Sequence, residues 1–225
     1  MATDRVADAR ADAAIAVATV GAFQENCYLV SDRTARVSVF VDPGAEGDRL
    51  ATMVERSGTT LEAIWLTHAH LDHIGAIGEL KRRWDVPVYL HPLDEPLYRL
   101  AERQAALYGL AFEQPPPFDR ALGDGDVMHV GALRFDVMHA PGHAPGHVVF
   151  HGHGVAFAGD CLFAGSIGRT DLPLSNPRDL AASLERIITL PEDTVVYPGH
   201  GPATTIREER RSNPFLTGVA RIVGA

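Results

Sequence analysis

A chain of 225 residues, 46% of them hydrophobic, is long enough to bury a sizeable core. Its net charge of −9, with no basic run, disfavours nucleic acid or an anionic membrane surface as partner, and no apolar run is long enough to span a membrane. The two cysteines, Cys27 and Cys161, lie far apart and form no metal-like or redox-like pair, so a reducing, cytoplasmic setting is expected.

Residues 1–13 are Ala-rich but punctuated by Asp4, Arg5, Asp8, Arg10 and Asp12. That pattern suits neither a signal peptide nor a transit peptide, and it reads as a frayed leader or short helix. Residues 14–225 read as one domain. Alternating or β-rich runs predict strands at Ala14–Thr19, Asn26–Ser31 and Val37–Val41, an antiparallel opening ended by Asp42-Pro43-Gly44. A helix is expected over Glu46–Ser57, a buried strand over Leu61–Thr67, a helix over Asp72–Trp84, a strand over Val86–Leu90 and an amphipathic helix over Pro92–Tyr108. After Gln114-Pro115-Pro116-Pro117 the grammar repeats, with strands at Val127–Val130, Leu133–His139, His147–His151 and Val155–Ala158. A helix at Pro177–Leu190, a strand at Thr194–Tyr197 and a short helix at Thr204–Ser212 follow, and Asn213-Pro214-Phe215-Leu216 is expected to tuck back onto the body. Two halves, each of strands followed by helix, suggest two sheets packed together with helices outside.

The chemistry is concentrated in Thr67-His68-Ala69-His70-Leu71-Asp72-His73-Ile74-Gly75, where an apolar strand feeds a helix. Two histidines two residues apart on an extended backbone leave the same face, and imidazole with carboxylate suits Zn, Fe or Mn. Three more clusters stand at predicted strand ends: His139 to His147, Ala158-Gly159-Asp160, and Tyr197-Pro198-Gly199-His200-Gly201. His68, His70 and His143 make three ligands for one metal; Asp72, His73 and His200 make three for another, and Asp160 can bridge them. Two divalent ions with open positions are an arrangement that generates a hydroxide and clamps a displacement.

The ordered set of His-x-His-x-Asp-His at 68–73, then His143, Asp160 and His200, resembles the metallo-β-lactamase-fold hydrolases. The resemblance runs from about Ala14 to Gly201 and implies an αββα sandwich, two mixed β-sheets packed face to face with helices on the outer faces. It also implies the ligand assignment above. Within that superfamily, Pro141 to His147, Gly165-Ser166-Ile167-Gly168-Arg169-Thr170-Asp171, Gln24 to Val30 and Asn213 to Leu216 are similar to the glyoxalase II-like branch. The related persulfide dioxygenases carry similar segments. Glyoxalase II proper adds a C-terminal helical domain that binds glutathione, whereas this sequence ends 25 residues after His200, so that domain is not expected here. Arg207, Arg210 and Arg211 are the available substitutes, with a solvated helix face as the plainer reading.

The expected function is therefore hydrolysis of a small-molecule thioester, S-lactoylglutathione or a related hydroxyacyl thioester, by a hydroxide bridging two ions, Zn with Fe or Mn as alternatives. Asp72 and Asp160 are the candidate catalytic carboxylates, Asp72 also as a proton acceptor. Asp42 and His147 are expected to orient ligating imidazoles from behind, and Arg169 with Asp171 to form a buried pair supporting the Asp160 loop. Cys161 reads as a small core residue. Substrate choice is assigned to the stretches Tyr98–Phe118 and Phe163–Pro177. The rivals are a mononuclear iron persulfide dioxygenase using His68, His143 and Asp160 as a facial triad, hydrolysis of a lactone or phosphodiester on the same metals, and a non-catalytic metal-binding module.

Overall fold

The computed structural model describes residues 5–10, 13–222 and 224. Strands β1 (Arg5–Arg10), β2 (Ala13–Val20), β3 (Glu25–Asp32) and β4 (Val37–Val41) pair antiparallel in sequence order. Helix α1 (Gly47–Ser57) returns the chain to β5 (Thr60–Trp65), and α2 (Leu71–Ile74) and α3 (Ile77–Arg83) lead to β6 (Val88–Leu90). Helices α4 (Glu95–Arg99) and α5 (Ala101–Leu107) precede β7 (Arg120–Ala121). Strands β5, β6 and β7 extend the sheet in parallel from β4, giving a mixed sheet in the order β1-β2-β3-β4-β5-β6-β7.

The second sheet uses β8 (Val127–Val130), β9 (Leu133–His139), β10 (Val148–Gly152) and β11 (Val155–Gly159). A hairpin of β12 (Leu162–Phe163) and β13 (Ser166–Ile167) and the helix α6 (Pro177–Ile187) follow. The chain then forms β14 (Val195–Pro198), β15 (Thr204–Thr205) and α7 (Ile206–Ser212). The order is β15-β14-β11-β10-β9-β8, parallel only between β11 and β14.

Strand alternation explains the layers. Tyr28 and Val30 of β3, Val39 and Val41 of β4, and Ala63 and Trp65 of β5 face Phe135, Val137, Val148, Phe150 and Phe157 of the second sheet in one shared core. Trp65 packs against Phe150 and Phe135, with ring centroids 5.2 and 5.8 Å away. The opposite faces carry Leu29, Phe40 and Ile64 under α1 to α5, and Val149, Ala156, Ala158 and Val196 under α6 and α7. The expected αββα sandwich of two mixed sheets is what forms. No described helix is long and apolar enough to cross a membrane.

Three local expectations are corrected. Arg5–Arg10 are neither frayed nor helical: they pair with the open edge of β2, where backbone donors and acceptors of an edge strand outweigh alanine's helix preference. Residues 1–4, 11 and 12 of that segment lie outside the described residues. The helix expected over Asp72–Trp84 is broken at Gly75-Ala76, because the Ala76 N–H donates to the Pro43 carbonyl (3.0 Å) and Gly75 packs on the Gly44 carbonyl. The helix expected over Pro92–Tyr108 is a single 3₁₀ turn at Pro92–Asp94 followed by α4 and α5, since Pro96 has no N–H to continue a helical ladder from that turn. Asn213 does tie the tail down, its Nδ2 donating to the Ser166 carbonyl at 3.0 Å and to Glu209 Oε2 at 2.7 Å.

Candidate metal centre

Four loops converge at one edge of the sandwich. The segment after β5 is held extended by three backbone anchors. Thr67 O accepts from Val148 N (2.8 Å), Thr67 N donates to Asp42 Oδ1 (2.7 Å), and Ala69 N donates to Asp94 Oδ2 (2.9 Å). His68 and His70 therefore enter the site together, with ring centroids 4.8 Å apart. Asp72 and His73 follow on α2. His143 comes from the loop between β9 and β10, Asp160 from the end of β11, and His200 from the end of β14, where the Asn26 N–H donates to the Gly199 carbonyl (2.7 Å). Gly142 sits at φ +136 with no room for a Cβ against Leu180 of α6, so the His143 loop can lie directly on that helix.

Two groups of three ligand atoms result, His68 with His70 and His143, and Asp72 with His73 and His200, the atoms of each group within 4.8 Å of one another. Asp160 lies between them: its Oδ2 is 3.4 Å from His143 Nε2 and 3.5 Å from His200 Nε2, and its Oδ1 is 3.5 Å from His73 Nε2. His200 Nε2 is also 3.3 Å from Asp72 Oδ2. Asp42 forms a further trio with His68 and His73, but its Oδ1 and Oδ2 already accept from Thr67, and Oδ2 lies 3.1 Å from His73 Nδ1, on the far side of that ring from Asp160.

The donor set fits divalent metal ions. His68 Nε2, His73 Nε2 and Asp160 Oδ1 are buried without any hydrogen-bond partner, which in a stable fold costs about 1–3 kcal/mol each unless something fills the valence. His70 Nδ1 and His143 Nε2 face each other at 2.9 Å, two imidazole nitrogens directed at one point. Gly199 leaves the space: a Cβ there would strike Asp160 Oδ1, and would come within 2.7 Å of His73 Cε1.

Burial sets the protonation states. It pushes the His68 pKa well down, drives His70 down to about 3 with His143 beside it, and lowers His143, so these three present neutral, lone-pair-bearing nitrogens. Burial opposes charge on His73 as well, but Asp160, Asp72 and Asp42 outweigh it and hold its pKa well above the usual histidine range. Burial would raise Asp160, yet His73, His143 and His200 hold it far below the usual carboxylate range; His73 and His200 likewise keep Asp72 ionised. His68, His70 and His143 thus stand as neutral imidazoles beside ionised carboxylates, the forms that bind metal, whereas His73 and His200, their pKa values raised by the neighbouring carboxylates, must give up a proton to a bound cation.

Of the residues expected behind the ligands, Asp42 faces His73 Nδ1 at 3.1 Å, while His147 and the Arg169–Asp171 pair occupy other positions. His143 Nδ1 donates to the Arg169 carbonyl at 2.9 Å, and His68 Nδ1 lies 3.1 Å from Thr67 Oγ1. His147 does not touch a second nitrogen of any ligating ring: it stacks on His68 and its Nε2 accepts from the Asp160 N–H (3.0 Å). The Arg169–Asp171 pair is not buried. It is bidentate at 2.6 and 2.7 Å but solvent-exposed on both sides, because the Gly165–Asp171 turn directs its main chain inward and its charges outward. Cys161 is fully buried with its Sγ 3.4 Å from His147 Nδ1.

Sequence reading missed Thr67, Glu25 and Asp94. Thr67 Oγ1 donates to Asp42 Oδ2 (2.6 Å), and Glu25 is buried 3.9 Å from His73 Nδ1, its pKa pushed well up by burial. Asp94 is fully buried and spends one oxygen on each loop: Oδ2 accepts from the Ala69 N–H, between His68 and His70, and Oδ1 from the Gly146 N–H (2.5 Å), between His143 and His147. Burial raises its pKa to about 7 against the pull of those two bonds. An isolated Asp inside a predicted helix carries no signal for such a role.

A cleft of 470 Å³ opens on the cluster, floored by His70, Asp72, His143, Asp160 and His200. Its lining draws on the two stretches expected to choose substrate, Gln104, Leu107 and Tyr108 from the first and Phe163, Ile167 and Arg169 from the second, together with Phe23. Arg207, Arg210 and Arg211 do not line it; they pair with Glu192 and Glu208 along α7.

A sequence profile described as the Metallo-beta-lactamase superfamily matches residues 20–200. The hydroxyacylglutathione hydrolase GloC of Haemophilus influenzae is 38% identical over 212 residues, 90% of this chain and 97% of the relative. The crystal structure of TTHA1623 in a di-iron-bound form is similar at TM-score 0.83 and 48% identity, covering 89% of this chain and 99% of that one. That of ETHE1 from Myxococcus xanthus is similar at TM-score 0.76 and 31% identity, covering 91% and 84%. With the sandwich and its histidine-aspartate edge, these likenesses show that the chain belongs to the metallo-beta-lactamase superfamily and is a metallo-hydrolase of that fold.

Proposed function

We propose that the chain hydrolyses a thioester, S-lactoylglutathione or a related hydroxyacyl thioester, using two divalent ions, zinc or its iron or manganese counterparts. The observation that carries the reading is the set of unpartnered ligand atoms, His68 Nε2, His73 Nε2 and Asp160 Oδ1, around the floor of an open cleft. The thioester comes from the likeness to GloC across nearly the whole length of both chains. His68, His70 and His143 would hold one ion, Asp72, His73 and His200 the other, with Asp160 shared. Ions bound there lower the pKa of coordinated water to about 7 and take up the charge that develops on a carbonyl oxygen.

The chain's own residues then orient and relay. Asp42 faces His73 Nδ1, and the Arg169 carbonyl accepts from His143 Nδ1, so each ring points its other nitrogen inward. His147 fixes Asp160 through its backbone N–H, leaving both carboxylate oxygens to the centre. Asp72, beside His200 and open to the cleft, is placed to accept the proton lost from water. A thiolate is a good leaving group and departs without a proton donor. We place the enzyme as a single domain acting on a small molecule.

The test is thiol release from S-lactoylglutathione by protein loaded separately with Zn, Mn and Fe. Release that tracks metal content supports the proposal. The likeness to ETHE1 favours one second reading, a persulfide dioxygenase on a single iron held by His68, His143 and Asp160. Oxygen consumption with glutathione persulfide by the iron-loaded form alone, with no thiol release, would replace the hydrolase by that activity.

A further inference from the structure

The cleft carries an exposed apolar lip. Leu107, at the end of α5, is 86% exposed, Tyr108 is 58% exposed and Phe23 is 39% exposed. Phe23 and Tyr108 meet edge to face, with ring centroids 5.6 Å apart. Phe163, Ile167 and Leu172 line the same cleft. Large apolar side chains gathered at the entrance of a site, rather than scattered over the surface, mark where a ligand is covered.

The charges point the same way. Among the described residues lining the cleft, the cation outside the histidine cluster is Arg169, and Asp171 already occupies the Nε–Nη2 edge of its guanidinium. The other polar wall groups, Gln104 and Ser166, are neutral. A small hydroxylated acyl group such as lactoyl would leave the lip in water, whereas an alkyl chain would bury it.

Resting on the thioester reading, we propose that this cleft selects thioesters whose acyl group carries an apolar chain of several methylenes, laid along Phe23, Leu107 and Tyr108. The reactive carbonyl sits over the histidine-aspartate floor and the chain runs out across the lip. Each methylene wholly removed from water contributes about fourfold in affinity, and in a cleft open on one side roughly twofold to fourfold.

The experiment uses zinc-loaded, full-length protein and a series of glutathione thioesters, from lactoyl and acetyl through butyryl and hexanoyl to octanoyl. In parallel, calorimetry measures binding of the uncleavable S-alkylglutathione thioethers of the same chain lengths. The expected result is a rise of about twofold to fourfold per methylene in kcat/KM and in thioether affinity. Leu107→Ser and Phe23→Ser should flatten both series, while Val219→Ser, equally exposed but away from the cleft, should leave the slope intact. Hydrolysis with no dependence on chain length, or with lactoyl the best substrate, overturns the inference and leaves the thioesterase standing. No hydrolysis of any thioester, with thioether binding still rising with length, overturns the thioesterase and keeps the apolar recognition. Flat thioether binding overturns the inference whatever the activity.

Discussion

Asp94→Asn probes how the two histidine-bearing loops are held in register. Asp94 is fully buried and each of its oxygens accepts one backbone N–H, from Ala69 and from Gly146. An asparagine is nearly the same size but offers one acceptor; its NH2 must face the other loop's N–H. One charge-assisted bond is lost and a buried donor is left unmet, a cost of about 1.5–3 kcal/mol. Gly146 cannot shift closer to compensate, because its α-carbon already lies so near that a Cβ would be 2.7 Å from the Asp94 nitrogen. If that energy is drawn from the geometry joining His68 and His70 to His143, metal affinity falls by roughly 10- to 150-fold, which overlaps the 10- to 100-fold typical when outer hydrogen-bond partners of metal sites are removed. The assay is a competition titration of zinc against a chromophoric chelator at pH 8, where the wild-type carboxyl is ionised, beside thermal unfolding of the metal-free proteins. A variant whose metal-free form loses stability but whose zinc affinity equals wild type would refute the positioning role and leave Asp94 a structural residue.

Other expectations follow from the same geometry. Asp160→Ala removes a carboxylate that lies within 3.5 Å of ligands in both groups, so both ions and all activity should be lost together; full metal content by elemental analysis would rule out the shared ligand. Trp65→Ala empties a site 1% exposed between Phe135 and Phe150 and should cost about 3–5 kcal/mol in urea unfolding, with unchanged metal stoichiometry in the folded protein. Burial and the stacked His139 ring lower the His91 pKa to about 4. Because that folded value lies below the unfolded one, the stability His91 adds relative to His91→Gln is complete above about pH 6.5 and is lost as pH falls to about 4. Thermal midpoints of the two proteins should therefore converge between pH 7.5 and 4.5, and a constant gap would show that the ring is not held neutral.

Much of the architecture is legible along the chain because its signals are local. The continuous apolar burial of Val37–Val41, the period-two burial of Leu133–His139 and the amphipathic stripe of Glu46–Ser57 each depend on a few neighbouring residues. Element breaks are less legible, since they answer to distant groups: Pro43 takes the Ala76 N–H, and the open edge of β2 takes Arg5–Arg10.

The candidate ligands were readable for a chemical reason: His and Asp at the ends of apolar strands, flanked by glycine, have few other uses. From composition and spacing alone, His68, His70, Asp72, His73, His143, Asp160 and His200 stood out. What holds them was mostly decided by the tertiary structure. Asp42, expected behind an imidazole, faces His73, but the Arg169 carbonyl rather than its side chain stands behind His143, His147 accepts from the Asp160 backbone, and Asp94 ties two loops. These are contacts between groups far apart in sequence, most of them to backbone atoms that every residue possesses, so no pattern of side chains records them. A ligand is written in its own residue type; its support is written in the packing of two sheets.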